Sequence, residues 1–572
     1  MTKARMIFIL LVILGFAVYY AASRPGGFGS LDFGFGGDLS YEQAASRLQD
    51  KVAGVDWSEE IVQRKANVQL GKKADITETL PPISQFPMAV TPSGGFNDVT
   101  VEIFASTEKS GTGTDGWMTD TAKAFNEAGI KLADGRRAQV ELRKIASGTG
   151  YEFIASRKYL PDAFSPSNHL WIRMAQSHGV TMTPVREKTV VNLAGLVMKS
   201  AVADKLKSSR GAVDIKILID AVLQGDMAMG YTNPFASSTG INFLVSVLAT
   251  FAGGDEGKML SPEVVSAFEA FQRGVPFVGE TTLQLRESVR NDGSLDGFVM
   301  EYQTFVKTAE LQSGYVFLPF GYAHDNPLYA VGGLPPEKLE ALEAFARFSE
   351  QPRYRDLGTQ YGFNPPLKAE AFYPLPSGGT LVQAQQIWKT KKDAGRPVAA
   401  VFLCDVSGSM VGPRLEGVRE ALIQGADFIS AENSIGLVVF SDRVRTLLPI
   451  RKFNINQKAS FVAAAEDLTA GGNTAMYDGI AAALSMLAKA KEADPGLKPV
   501  LFVLTDGETN NGLYFDDMEA VIKGLRIPIY TIGYEADFDE LKRVSGLVEA
   551  ATINAGEGEI RYKIGSLLNA QM

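Results

Sequence analysis

The stretches VAAVFLCDVSGSM (398–410) and PVLFVLTDGETN (499–510) decide the fold of the C-terminal third. Each is a continuous apolar run that ends abruptly in Asp and small hydroxyl residues. An apolar run without polar alternation suits a strand covered on both faces. IGLVVFS (435–441) and IPIYTIG (527–533) repeat the pattern, with helical periodicity over 415–431, 458–468 and 477–493 between them. Such alternation predicts an α/β domain with a doubly wound, largely parallel sheet. Ligands of open α/β sheets bind beyond the carboxyl ends of the strands, at a topological switch point. The polar ends of these runs therefore lie where a site belongs.

Asp405, Ser407 and Ser409 alternate along DVSGS, so three oxygens can face the same way from an extended loop. Thr474, in GGNTAMYDG, offers another hydroxyl, and Asp506, in LTDGETN, a second carboxylate. Two carboxylates and three hydroxyls form an all-oxygen set suited to a hard cation. DxSxS, the later threonine and TDG, in this order, resemble the metal-ion-dependent adhesion site of the von Willebrand factor A family over residues 396–572. The resemblance implies a Rossmann-like domain that holds Mg2+ (or Mn2+/Ca2+). It further implies Ser407, Ser409 and Thr474 as direct ligands, with Asp405 and Asp506 acting through charge and held waters. An acidic residue of a protein partner would fill the open coordination position. No histidine lies in this block, and binding rather than catalysis is expected, so the chain is read as no enzyme. The domain is taken as 376–572, entered through a connecting helix over 381–392.

A second strand–helix alternation occupies 99–375. It opens with VTVEIFAS (99–106), a helix over 117–128 and VELRKI (140–145), and passes through NLAGLVMK (192–199), a helix over 240–252 and GYVFLPF (314–320). The segments PDAFSPSNHLW (161–171), GDMAMGYTNPFASSTG (225–240), FLPFGYAHDNPLYAV (317–331) and QYGFNP (360–365) resemble the two-lobed, type II extracellular solute-binding proteins of bacteria. The resemblance implies a periplasmic-binding-protein-like domain with a ligand cleft between lobes. Hydroxyl residues recur at the ends of predicted strands and before helices: Ser106, Thr107, Thr149, Ser165, Ser237, Ser238 and Thr239. They are the candidate cleft residues. Unpaired N–H groups at helix starts favour a small or anionic ligand there.

The first 23 residues read as a membrane segment. Lys3 and Arg5 precede the apolar run MIFILLVILGFAVYYAA (6–22). That run is at the short end for a span, which needs about 20 apolar residues. The charge bias places the N-terminus in the cytoplasm and the body outside, as a single-pass anchor. A cleaved signal, with the body secreted, is the alternative. Residues 24–98, rich in Gly and Pro, are read as a stalk carrying short helices over 41–51 and 57–66. Formal charge is −9, from 56 basic and 65 acidic residues, so no basic field for nucleic acid is present. A single cysteine excludes an intrachain disulfide. The expected protein is a membrane-anchored cell-surface binder with a metal adhesion site and a second cleft. A transporter-associated solute receptor, with the A-type domain as docking module, is the other reading.

Overall fold

The computed structural model describes residues 39–572 apart from 69–74, 96, 212, 276, 280–281, 283–284, 286–294, 368–372, 508, 535–537, 549–551 and 556–558. The expected membrane segment at 1–23 and the first part of the stalk, 24–38, lie outside the described residues. Among the described residues, no helix is long and apolar enough to cross a membrane.

Three sheets organise the described residues. The C-terminal sheet runs in the order Trp57–Glu59, Val444–Lys452, Ser434–Phe440, Val398–Asp405, Lys498–Thr505, Ile529–Tyr534, Thr552–Ala555. Every pairing is parallel except Ser434–Phe440 against Val444–Lys452. Val398–Asp405 is central and buried along its whole length. Its side chains alternate between two cores. Ala399, Val401 and Leu403 face helices Met476–Ala493 and Phe515–Leu525. Val398, Ala400 and Phe402 face helices Pro413–Gly425, Ile455–Glu466 and Ile560–Gln571. Double coverage is why its sequence shows no polar alternation. The chain leaves this strand for Ser434–Phe440 on one side and later reaches Lys498–Thr505 on the other. The switch point of the sheet is therefore at Asp405.

The middle of the chain has two lobes. One is built on a six-stranded sheet that contains Val99–Ala105, Ala138–Lys144 and Ala163–Ser165. The other is built on a five-stranded sheet with Asn192–Lys199 at its second position and Gly297–Glu301 at its centre. They meet closely at Gly148, where an added Cβ would lie 2.0 Å from the Phe235 carbonyl oxygen. Only glycine lets the backbones approach this near.

Two parts of the expected layout are corrected. Residues 39–68 are not a stalk; they are part of the A-type domain. Helix Tyr41–Val52 opens with a capping box between Ser40 and Gln43 and buries Ala44 and Leu48 against the core behind Met476–Ala493. Trp57–Glu59, expected as helix, is an edge strand paired in parallel with Val444–Thr446. Trp57 donates its indole N–H to Thr446 Oγ1 at 2.8 Å, and Lys51 pairs with Asp517 at 2.8 Å. Prolines at 81, 82 and 87 do break regular structure, yet Met88–Val90 joins the first-lobe sheet beside Ala138–Lys144. The boundary at 376 also moves. Helix Gly378–Lys391 packs on the lobes, and Trp388 donates to Tyr231 Oη at 2.6 Å. The junction follows at Asp393. Desolvation works against its charge, but Lys498 and Lys392 hold its carboxyl down to about 2.

If Tyr41–Val52 is part of the A-type core, Leu48→Ala will lower unfolding free energy by about 2–5 kcal/mol in chemical denaturation, as for a buried leucine. A tether without packing would leave it unchanged.

Candidate functional site

Asp405 ends the central strand and is fully buried. Its Oδ1 accepts the Ser407 backbone N–H at 2.8 Å, and its Oδ2 accepts the Thr505 hydroxyl. Ser407 and Ser409 hydroxyls stand 3.1 Å apart, and Ser409 donates to Asp506 Oδ1 at 2.8 Å. Asp405, Ser407, Ser409 and Asp506 thus form one continuous group. Thr474 is buried on the adjoining loop. That loop is stitched to the first by Gly408 N–H to the Gly472 carbonyl at 2.9 Å. It is stitched to the third by Thr474 N–H to Asn510 Oδ1 at 2.8 Å. Gly472 has φ +91°, a left-handed turn that few other residues adopt. All five predicted residues lie on three loops joined by backbone hydrogen bonds.

Electrostatics fit a cation at this place. Burial pushes the Asp405 carboxyl up, its hydrogen bonds oppose this, and the nearby Asp506 carboxylate adds to it. Two carboxylates converging in a desolvated pocket gain from a positive charge between them. Among the described residues no group of three or more His, Cys, Asp or Glu is placed to hold a metal ion, so hydroxyls would supply the rest of the shell here. The donor set is all oxygen, as Mg2+ requires. Arg414 was missed by sequence reasoning. Its guanidinium is 2.5 Å from Asp506 Oδ2 and reaches the Ser409 carbonyl at 3.4 Å. An incoming cation would share Asp506 with it. Its only signal in the sequence is a position five residues past Ser409.

The interlobe cavity has about 550 Å³ of empty space, open to solvent. Of the seven candidate cleft residues, Thr107, Ser237 and Ser238 line it. The other four are elsewhere. Ser106 is buried beneath it and donates to Glu108 Oε1 at 2.6 Å. Ser165 is buried within its strand. Thr149 faces away, 2.9 Å from Tyr562 Oη of the C-terminal helix. Thr239 donates to the buried Glu301. Ser237 spends its hydroxyl on the Gly240 N–H as a helix cap. Sequence reasoning missed the acids of the wall: Glu108, Asp115 and Glu301. Nothing in the periodicity marks them, because TEKSGTGTDG (107–116) reads as an ordinary polar turn.

Beneath the cavity, Lys109 is buried and its ammonium donates to Ser106 Oγ, the Pro166 carbonyl and Asn326 Oδ1. His324 is buried nearby, with Nδ1 lacking a partner. Desolvation holds its pKa down to about 4; Glu108 opposes this and Lys109 adds to it. In the unfolded chain a histidine titrates near 6.5. Between these values the unfolded state binds a proton that the native state refuses. Stability present above pH ~6.5 is therefore lost as pH falls toward 4, by about 3 kcal/mol. Denaturation at several pH values should show this slope, and His324→Gln should flatten it.

Comparison with known proteins agrees with both halves of the geometry. Residues 400–555 match the von Willebrand factor type A domain, and residues 110–364 match bacterial extracellular solute-binding protein. Inter-alpha-trypsin inhibitor heavy chain H1 of Mesocricetus auratus is 30% identical over 152 residues, 24% of this chain and 16% of that protein. Heavy chain H3 of Homo sapiens is 30% identical over 150 residues, with 24% and 16% covered. The chain thus spans about a sixth of these relatives' length. Among solved structures, the sulfate-binding protein SubI from Mycobacterium tuberculosis is 17% identical with TM-score 0.33, covering 48% of this chain and 92% of that one. A periplasmic thiamin binding protein is 10% identical with TM-score 0.37, covering 53% and 99%. Residues 110–364 thus match the bacterial extracellular solute-binding protein model, and residues 400–555, after them, the von Willebrand factor type A model.

Proposed function

We propose that this chain is a membrane-anchored cell-surface binding protein. Its A-type domain holds a divalent cation, Mg2+ or else Mn2+ or Ca2+, through Ser407, Ser409 and Thr474, with Asp405 and Asp506 supplying charge. The cation recruits an acidic residue of a partner protein. The cleft takes a second, small ligand. One observation carries the reading: two carboxylates and two hydroxyls form a single hydrogen-bonded group at the switch point of the sheet. The group offers ligation rather than a nucleophile and base, so the role is binding and not catalysis. The apolar run at 6–22 supports the anchor, and Lys3 and Arg5 before it support a body outside the cell.

A second reading, a transporter-associated solute receptor with the A-type domain as docking module, is favoured by one contact. Tyr562 Oη, on the C-terminal helix, lies 2.9 Å from Thr149 Oγ1 and donates to Glu152 Oε2 at 2.9 Å. Both partners sit on helix Ser147–Ser156, whose first residue lines the cavity. A solute signal would have a short route to the A-type domain.

Titration calorimetry with Mg2+ and Mn2+ tests the first reading. Saturable binding should vanish in Ser407→Ala, while unfolding free energy stays within about 1 kcal/mol of the parent. Pull-down from a membrane extract should recover a partner with Mg2+ and lose it with chelator or with Asp506→Ala. Equal recovery under all these conditions removes the adhesion reading.

A further inference from the structure

The interlobe cavity has a charge character opposite to the one its hydroxyls suggest. Ser106 and Ser167, two donors that would greet an oxyanion, already donate to Glu108 Oε1 at 2.6 and 2.7 Å. The chain has thus placed its own carboxylate on those donors. Glu301 stands on the same wall and is only 7% exposed. Its Oε1 accepts from Thr239, Thr282 lies beside the group, and Oε2 closes no hydrogen bond. Asp115 adds a third carboxylate to the wall, with Gln303 donating to its Oδ1 at 3.1 Å.

No cationic side chain balances these groups among the described residues of the wall. Lys109, buried below, offsets the desolvation of Glu108 and helps hold its carboxyl down, but its ammonium donates to Ser106, Pro166 and Asn326 and leaves Glu301 without a cation. The burial of Glu301 raises its carboxyl, and Glu108 raises it further. A carboxylate that is desolvated, faces a like charge and keeps one free oxygen gains most from a positively charged donor. The wall also suits an organic group better than a bare ion, because Ala146 and Ala236 leave apolar surface between the polar groups.

We propose that the interlobe cavity binds a small ammonium-bearing organic solute, with Glu301 and Glu108 as its charge partners, and excludes free oxyanions. This rests on reading the cleft as a solute site. Glu301 Oε2 takes an N–H of the ammonium. Glu108 supplies the opposing charge and occupies the donors that sulfate or phosphate would need. Thr304, Ser147 and Ser238 line the same space and orient the rest of the solute.

The test uses the full chain in detergent, with Ser407→Ala introduced so that the A-type site stays silent. Calorimetry and thermal shift are run with putrescine, choline and lysine as ammonium probes, with sulfate and phosphate as oxyanions, and with Ca2+. The expected result is saturable binding of at least one ammonium probe and none of the oxyanions. Glu301→Gln and Glu108→Gln should each weaken that binding by about tenfold or more, the loss of a charge-assisted hydrogen bond or charge partner. Glu108→Gln should also admit sulfate. The comparison of probes on the parent chain stands even where a variant fails to fold. Saturable oxyanion binding without ammonium binding overturns the charge assignment but leaves the cleft as a solute site. Ca2+ as the sole ligand overturns it in favour of a metal. No response to any probe overturns both the assignment and the reading of the cleft on which it rests.

Discussion

A carboxylate buried at the end of a doubly covered strand is the constraint around which the C-terminal domain is organised. Val398–Asp405 must be apolar along both faces, yet it delivers Asp405 into a pocket with no exposure. Such a group is tolerated only when its oxygens are satisfied. Ser407 N–H, on the loop after this strand, and the Thr505 hydroxyl, at the end of the neighbouring strand, provide this. Satisfying Asp405 therefore fixes that loop against the end of Lys498–Thr505 and the loop it opens. Gly472 and Asn510 then draw in the third, with Thr474 on it. Loop geometry, not a flexible surface, gives the site its form.

The two sites share one electrostatic theme. Each gathers carboxylates in partial desolvation at the rim of a sheet, and each invites positive charge. The means differ. At the A-type site short hydroxyl side chains stand close together beside the carboxylates, and Arg414 already leans on Asp506. In the cleft the acids are spread over both lobes, and Gly148 lets the lobes touch behind them.

Much of this was legible in the sequence, for identifiable reasons. Long apolar runs could only be covered strands, and helix Trp117–Ala128 and strand Asn192–Lys199 match the sequence reading to the residue. Asp405, Ser407, Ser409, Thr474 and Asp506 could be grouped from the sequence because they stand where apolar runs end or helices begin, and the loops that carry them adjoin. Trp57–Glu59 was not, because a three-residue strand carries no periodicity and its partner lies almost four hundred residues away. The Pro-rich segment hid its packing for the same reason: Met88–Val90 is short and borrows its order from Ala138–Lys144. The cleft acids were illegible because a polar turn and a buried carboxylate look alike until the lobes are brought together. Glu301, at the end of Gly297–Glu301, shows this most clearly.

The pairing of Trp57–Glu59 with Val444–Thr446 also orders events in time. A chain made from its N-terminus exposes helix Tyr41–Val52 and this edge strand long before their partners exist. The lobes, whose strands all lie between residues 88 and 331 and whose covering helix ends at Lys391, have their parts before the central strand Val398–Asp405 is made. The early segment must then wait, with the apolar side chains of Ala44 and Leu48 unburied, until Met476–Ala493 and Phe515–Leu525 arrive. The A-type domain is in this sense folded around a finished insert.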